Sequence, residues 1–140
     1  VTCLAAIQRV TLNKKLFQSF EPLEVDVVYD VYQEMKDLQI GVAIYSSDRK
    51  IYVFGPNTNL DKYPLPQQAG RYQLRYRIPK LALMSGDYVI DVGIFNSDGI
   101  VNLDYRNGCK AFSVANEYFS EGMIYLEHEW DVEKLTTEEN

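Results

Sequence analysis

Polar side chains that could bind a ligand recur at every second position between residues 71 and 77. Arg71, Gln73, Arg75 and Arg77 alternate there with apolar residues, and residues two apart on a strand lie about 6.6 Å apart on one face. Such a row can bind a carboxylate, a phosphate or a series of hydroxyl groups. It is equally compatible with a solvated face whose charge is balanced by outward carboxylates, namely Asp26, Asp30 and Asp91.

Asp91 differs from the other acidic residues because it lies between Ile90 and Val92 in a strongly apolar segment. A carboxylate in such a segment either faces solvent across an open sheet or is hydrogen-bonded to a specific partner. The sequence leaves both alternatives open. Asp26 and Asp30 lie four residues apart on one strand, about 13 Å, which is too far for the paired carboxylates of a glycosidase.

Tyrosine is abundant, with eleven residues in the chain. Several lie off the inward phase of their strands or on loops: Tyr32, Tyr45, Tyr52, Tyr63, Tyr105 and Tyr125. Aromatic faces stack on the C–H faces of sugar rings, while Arg, Gln and Asp side chains hydrogen-bond hydroxyl groups. Outward tyrosine beside outward arginine therefore favours a sugar-type surface, although tyrosines also cover the rims of β-sandwiches.

The sequence lacks the residues that nucleotide-binding, metal-binding and nucleophilic sites require. There is no GxxxxGK[ST] loop for ATP and no GxGxxG fingerprint for a dinucleotide. His128 is the one histidine, so a multi-histidine metal site is excluded, and no nucleophile stands at a recognisable spacing from it. Cys3 and Cys109 have no CxxC neighbour and are expected to be reduced thiols. We therefore predict no metal, no cofactor and no enzymatic activity.

Length and charge define the class of protein. The 140 residues are 46% hydrophobic and 24% charged, which is typical of one globular domain. The formal charge is −6; residues 117–140 carry eight acidic and one basic residue, and the remainder is nearly neutral. This distribution argues against nucleic acid as the partner. No apolar run approaches the roughly 20 residues of a membrane span, and a chain beginning with Val1 is expected to be part of a longer protein.

Alternation with a period of two is the dominant pattern and predicts β-strands. The predicted strands lie near residues 23–32, 38–45, 51–54, 71–78, 88–95, 100–103, 112–114 and 124–130. Ser46–Lys50 reads as a hairpin loop and Asn96–Gly99 as a hairpin turn, while Pro79 ends a strand. Helical periodicity is scarce. We predict an all-β antiparallel sandwich, immunoglobulin-like or jelly-roll, with one domain over residues 1–130 and an acidic tail over 131–140.

Three stretches in order resemble one known family. Ile51–Asn59 (IYVFGPNTN) resembles a "vFGxNT" strand and turn, and Ser85–Ile94 (SGDYVIDVGI) resembles a "GxYxlxvgi" strand. Phe112–Val114 followed by Gly122–Trp130 (GMIYLEHEW) resembles an "FxV … GxvxLxhxW" ending. Together they are similar to the C-terminal carbohydrate-binding domain of Wzt-type proteins, the nucleotide-binding subunits of ABC transporters that export O-antigen polysaccharide.

The resemblance implies an immunoglobulin-like or jelly-roll sandwich that binds the non-reducing, often capped, end of a finished polysaccharide. It also implies a cytoplasmic location at the inner membrane face, a membrane subunit as partner, and an ATPase domain preceding Val1. Family members dimerise, with a last strand that can be exchanged, here Gly122–Trp130. No sugar-contacting residue carries over by motif.

The predicted glycan site therefore comes from the outward residues of this sequence. We expect Tyr45 or Tyr125 to stack on a sugar, with polar contacts from Gln73, Arg75, Arg77 and Asp91. The alternative function is a structural or assembly β-sandwich that contacts another protein. An enzyme ranks third, because no convergent acid–base group is evident.

Overall fold

The computed structural model describes residues 3–96 and 101–135. Its strands are β1 (Ala5–Leu12), β2 (Leu16–Phe17), β3 (Leu23–Val31), β4 (Gln39–Ser46), β5 (Tyr52–Phe54), β6 (Gly70–Ile78), β7 (Gly86–Asn96) and β8 (Val101–Val114). A three-stranded sheet in the order β1-β3-β6 packs on a five-stranded sheet in the order β2-β8-β7-β4-β5. Neighbouring strands are antiparallel except the short parallel pair β2–β8. The predicted all-β sandwich is confirmed.

The core forms where the inward faces of the two sheets meet. On β3 the buried residues fall at every second position, as the alternation predicted. On β4 and β7 the inward positions are buried too, but some outward residues, such as Ala43 and Asp91, are buried beside them. Tyr29 and Tyr88 are among the largest fully buried side chains, and the Tyr88 hydroxyl donates a hydrogen bond to the Met84 carbonyl oxygen. The buried ring of Tyr88 thus keeps its polar atom satisfied.

Strand β1 did not emerge from the alternation because a bulge interrupts it. Ile7 pairs with Tyr29 and Arg9 pairs with Val28, so Gln8 is the extra residue between them. The bulge moves the inward phase from Ile7 to Val10. A strand with one extra residue loses the period of two by which sequence patterns identify strands.

Two predictions about the strands after β7 were wrong. The stretches near 100–103 and 112–114 belong to one continuous strand, β8, of 14 residues. Residues 124–130 form no strand; only Ile124 makes a bridge, with Leu83. The predicted turn Asn96–Gly99 falls largely outside the described residues, although β7 and β8 on either side of it pair in antiparallel fashion.

The segment after β8 leaves apolar side chains uncovered. Phe119 is 88% exposed, Leu126 75%, Trp130 90% and Val132 93%. The sequence of this segment alternates with a period of two, but no neighbouring strand lies beside it within the described chain. In the part of the chain that the structure describes, no helix is long and apolar enough to cross a membrane.

The fold predicts that two isoleucines contribute very differently to the free energy of unfolding. Ile90 is fully buried at the centre of β7, whereas Ile51, next to β5, is 45% exposed. We expect Ile90→Ala to lower the free energy of unfolding by about 2–5 kcal/mol, because it removes buried methylenes and leaves a cavity. Ile51→Ala should cost about 1 kcal/mol or less. Urea denaturation followed by tyrosine fluorescence measures both, and equal costs would contradict the assigned core.

Candidate functional site

A buried carboxylate lies on the outer face of the five-stranded sheet. Asp91 is only 1% exposed, although its strand neighbours Ile90 and Val92 point into the core. Its Oδ1 and Oδ2 accept hydrogen bonds from the Arg49 guanidinium at 3.0 and 2.7 Å. The Tyr105 hydroxyl donates to Oδ2 at 2.5 Å, and the Gly108 backbone N–H donates to Oδ1 at 2.7 Å. Of the two alternatives for Asp91, the structure therefore has the specifically hydrogen-bonded one.

A bulge in β8 brings the Gly108 N–H to this carboxylate. Ile90 pairs with Lys110 and Val92 pairs with Arg106, so Asp91 faces three residues of β8. Gly108 adopts a φ of 57°, in the left-handed region that favours glycine. Bulges of this kind redirect backbone groups and side chains next to functional sites.

The turn between β4 and β5 supplies the second partner. Ser46 Oγ donates to Asp48 Oδ1 at 2.6 Å, and Asp48 accepts the Lys50 N–H at 3.0 Å, which fixes the predicted hairpin loop. Arg49 has a φ of 64°, so its side chain turns back over the sheet. Its guanidinium carbon lies 4.4 Å from the centre of the Tyr45 ring while its nitrogens hold Asp91. This combines a cation–π contact with a bidentate ion pair.

The electrostatics of the group favour the charged carboxylate. Burial alone would raise the pKa of Asp91, but the hydrogen bonds from Arg49, Tyr105 and Gly108 outweigh it and hold the pKa below its ordinary value. For Tyr105, burial and the bond to Asp91 raise the pKa of the phenol, so its proton stays in place as the donor. The bond to Asp91 also raises the pKa of Arg49.

Aromatic rings surround this ion pair. Tyr45 and Tyr52 pack with ring centres 4.6 Å apart, and Phe95 and Tyr105 pack edge to face at 6.2 Å. Between them lies a cavity of about 150 Å³, which we call the aromatic trough. Small residues at outward positions form its floor and the rings form its walls; its lining is Gly41, Val42, Ala43, Tyr52, Gly55, Pro56, Asn57, Asp91, Gly93, Phe95 and Tyr105.

Gly93 is needed for the floor of the trough. A Cβ at this position would lie 2.5 Å from Phe95 and 2.8 Å from Tyr105, closer than such atoms approach. Any other residue would push the two rings apart. The signal that sequence analysis missed is therefore the set of small residues on the outward phase, Gly41, Ala43 and Gly93, beside aromatic residues.

The structure brings two of the six predicted site residues together. Tyr45 and Asp91 meet through Arg49 at the rim of the trough. Gln73, Arg75 and Arg77 lie on β6, which belongs to the other sheet. Arg49, Tyr52 and Tyr105 complete the group; Tyr52 and Tyr105 are among the outward tyrosines seen in the sequence, whereas nothing in the spacing marked Arg49.

The arginine row of β6 faces a row of carboxylates on β3. Arg77 is opposite Glu24, Arg75 opposite Asp26 and Arg71 opposite Asp30 in the strand register. The corresponding N–O distances are 3.4, 3.7 and 2.7 Å. This arrangement matches the solvated, charge-balanced face, with Asp26 and Asp30 as partners and Asp91 absent from it.

Tyr125 lies apart from both groups. Its backbone N–H donates to the Ala82 carbonyl oxygen at 2.9 Å, which holds it beside the segment that leads into β7. Its ring packs against Phe20 at 5.1 Å and Tyr118 at 5.2 Å. Among the described residues, no group of three or more His, Cys, Asp or Glu side chains is arranged to hold a metal ion.

Comparison with known proteins agrees with this architecture. The solved structure described as the C-terminal domain of wzt superposes with a TM-score of 0.80 at 14% identity, covering 94% of this chain and 85% of that one. A Niemann-Pick type C2 protein from Japanese carpenter ant superposes with a TM-score of 0.55 at 9% identity, covering 81% and 93%. At these identities the likeness concerns the fold. No curated protein sequence matches the chain.

The sheets, their order and the superpositions define a β-sandwich domain of the Wzt type. The family model for the Wzt C-terminal domain matches residues 6–126, nearly the whole sandwich and the segment that follows it. The chain belongs to the Wzt C-terminal domain family, which confirms the family resemblance of its three sequence stretches.

The ion pair predicts a pH-dependent loss of stability. Asp91→Asn should lower the free energy of unfolding by roughly 1.5–3 kcal/mol at pH 7, because charged hydrogen bonds to a buried carboxylate are removed. The folded pKa of Asp91 lies below its unfolded value, so the wild-type advantage is complete above about pH 4 and disappears as the pH falls through the folded pKa. Urea denaturation of both proteins between pH 7 and pH 2.5 measures the difference.

Asp37→Asn is the matched control, because Asp37 is exposed. Its effect should stay within about 0.5 kcal/mol at every pH. A constant difference between wild type and Asp91→Asn down to pH 2.5 would contradict the charged state assigned to Asp91.

Proposed function

We propose that this domain binds the end of an O-antigen-type polysaccharide without catalysis and so gives an ABC exporter its substrate specificity. The observation that carries the proposal is the aromatic trough beside the Arg49–Asp91 ion pair. Aromatic walls, a floor of small residues and a rim of hydrogen-bonding groups are the chemistry that a sugar ring requires. Membership of the Wzt C-terminal domain family supports the same function.

The residues of the trough would have different roles in binding a sugar. Tyr52 is 58% exposed and Tyr105 is 38% exposed, so their rings are available to stack on a sugar. The side chain of Arg49 is 39% exposed, and its guanidinium can donate to hydroxyl groups at the rim. Asp91 already accepts four hydrogen bonds from protein groups, and its role is to position Arg49 and Tyr105.

Membership of the family supports a proposal about where the domain works and with which partners. In a Wzt-type protein it would follow an ATPase domain, lie in the cytoplasm at the inner membrane face, and work with a membrane subunit of the exporter. The ATPase would supply the energy of transport, while this domain selects the glycan.

We also propose that the domain forms a homodimer through its C-terminal segment. Leu126, Trp130 and Val132 are at least 75% exposed in the single chain, and they alternate with acidic residues as a half-buried strand would. Exposed apolar side chains in such a row are a ready interaction surface. Exchange of this segment between two copies would cover it.

The same exposed segment favours the alternative function, an assembly sandwich whose partner is another protein. The two functions differ in where the ligand binds. A glycan would contact the trough on the five-stranded sheet, whereas a protein partner would cover residues 119–135.

The trough leads to a prediction about glycan binding. Tyr52→Ala should weaken binding of the source organism's purified polysaccharide roughly three- to tenfold, the loss expected when one aromatic stacking contact is removed. Tyr32→Ala is the matched control, because Tyr32 is similarly exposed at the end of the other sheet. Isothermal titration calorimetry measures both, with an unrelated organism's polysaccharide as a specificity control.

A variant of the arginine row on β6 tests which of the two sheets binds the glycan. Arg71→Ala combined with Arg77→Ala should leave affinity within about twofold, because both side chains are paired with carboxylates of β3. If this variant loses binding while Tyr52→Ala keeps it, the glycan face is the three-stranded sheet. If the folded wild type binds neither polysaccharide, the assembly function is favoured.

The segment after β8 leads to a prediction about the oligomeric state. A chain that ends at Glu121 should be a monomer in sedimentation equilibrium, while the full chain should be a dimer. Leu126→Ser combined with Trp130→Ser, in the full chain, should also give a monomer, because it removes the apolar contacts alone. A full-length chain that is already monomeric at high concentration would contradict the dimer.

A further inference from the structure

A second cavity lies between the two sheets at their open edge. It has a volume of about 280 Å³ and is lined by Ile40, Val42, Pro56, Asn57, Thr58, Asp61, Tyr63, Leu74, Arg75 and Tyr76. We call it the inter-sheet cleft. It opens between β4 and β6 because β6 is an edge strand, and the chain from Pro56 to Tyr63 forms the outer wall.

The cleft and the aromatic trough are neighbours. Val42, Pro56 and Asn57 line both cavities, so the segment Gly55–Asn57 separates them as a narrow wall. This wall is held to β4 by backbone hydrogen bonds, from Val42 N–H to the Pro56 oxygen at 3.1 Å and from Thr58 N–H to the Ile40 oxygen at 2.9 Å. A ligand that lies in the trough can reach the cleft by crossing one short stretch of backbone.

Few polar groups of the cleft remain available for a ligand. The Asn57 side chain accepts the Leu60 N–H at 2.7 Å, and the Thr58 hydroxyl accepts the Ile40 N–H at 3.1 Å, so both stabilise the turn. Asp61 takes part in none of the ion pairs among the described residues. The Tyr76 hydroxyl likewise has no hydrogen-bond partner within that part of the chain.

The Tyr76 hydroxyl and the Asp61 carboxylate have complementary hydrogen-bonding roles. Burial, followed by the nearby Asp61 carboxylate, raises the pKa of Tyr76 to about 12, so the phenol keeps its proton and donates. Asp61 accepts. The remaining lining includes the apolar side chains of Val42 and Leu74 and the Tyr63 ring, together with Arg75, which is paired with Asp26. One donor and one acceptor beside an apolar wall match a hydroxylated ring with one apolar face.

The cleft is closed at its inner end. Ile40 and Val42 belong to the buried core, at 1% and 4% exposure, so nothing can pass between the sheets. Its volume is just below the range of about 300–1,000 Å³ typical of small-molecule sites. A fatty chain would leave the Asp61 carboxylate and the Tyr76 hydroxyl without partners, which is unfavourable. The space suits one neutral sugar unit that is linked on one side only.

We propose that the inter-sheet cleft is a second sugar subsite, which takes a terminal or side-branch unit of the glycan whose next unit lies in the aromatic trough. The inference rests on the glycan-binding function proposed above. It assigns Asp61 and Tyr76 to hydroxyl recognition and Gly55–Asn57 to the spacing between the two units. The domain would then recognise at least two linked sugars.

The test uses the full chain and the source organism's polysaccharide, intact and after partial acid hydrolysis. Asp61→Ala combined with Tyr76→Phe should weaken binding of the intact chain about tenfold, because two hydrogen bonds to the sugar are lost. In wild-type protein, titration with the hydrolysate should shift the backbone amide NMR signals of residues 58–63 together with those of Gly41 and Gly93. In the variant, only the signals of Gly41 and Gly93 should shift.

Tyr32→Phe combined with Glu34→Ala is the matched control, because it makes the same chemical changes at exposed positions outside both cavities. It should bind like wild type. Unchanged affinity of the cleft variant, with signals of residues 58–63 unmoved while Gly41 and Gly93 shift, would overturn the subsite and leave the proposed function standing. Absence of any binding by the folded wild type would overturn both.

Discussion

The burial of one carboxylate organises the outer face of the five-stranded sheet. An isolated charge in that position would be strongly unfavourable, and Asp91 is tolerated because four hydrogen bonds reach it from three directions. The hairpin turn that carries Arg49 and the bulge that carries Gly108 are the elements that supply them. By drawing both toward the sheet, the ion pair places the rings of Tyr45 and Tyr105 beside the trough.

The two outer faces of the sandwich use similar residue types in different ways. On the three-stranded sheet, arginines and carboxylates stand opposite one another along β6 and β3 and remain largely in water. Exposed pairs of this kind contribute about 0–1 kcal/mol each, so they keep the face solvated and add little stability. On the five-stranded sheet, the Arg49–Asp91 pair has a buried carboxylate, and aromatic rings lie beside it.

The open edge between the sheets has a different origin. Strand β5 has only three residues, and beyond it the chain continues along β4 as the Gly55–Asn57 wall rather than as a full strand. A longer β5 would extend the five-stranded sheet over this region. The short strand therefore accounts for the proximity of the trough and the inter-sheet cleft, and for a ligand path that involves both.

Local alternation and short motifs were enough to predict the class of fold, the inward phases of β3, β4, β6 and β7, and the family, because none of these depends on distant contacts. Tyr45, Asp91 and the outward tyrosines were also visible as candidates. Only the tertiary structure decided which of them meet, since strand order assigns β6 to one sheet and β7 to the other. It also decided that Arg49 holds Asp91, 42 residues away along the chain. The final segment shows the same limit: its alternation predicted a strand, but a strand requires a neighbour, and the described chain provides none.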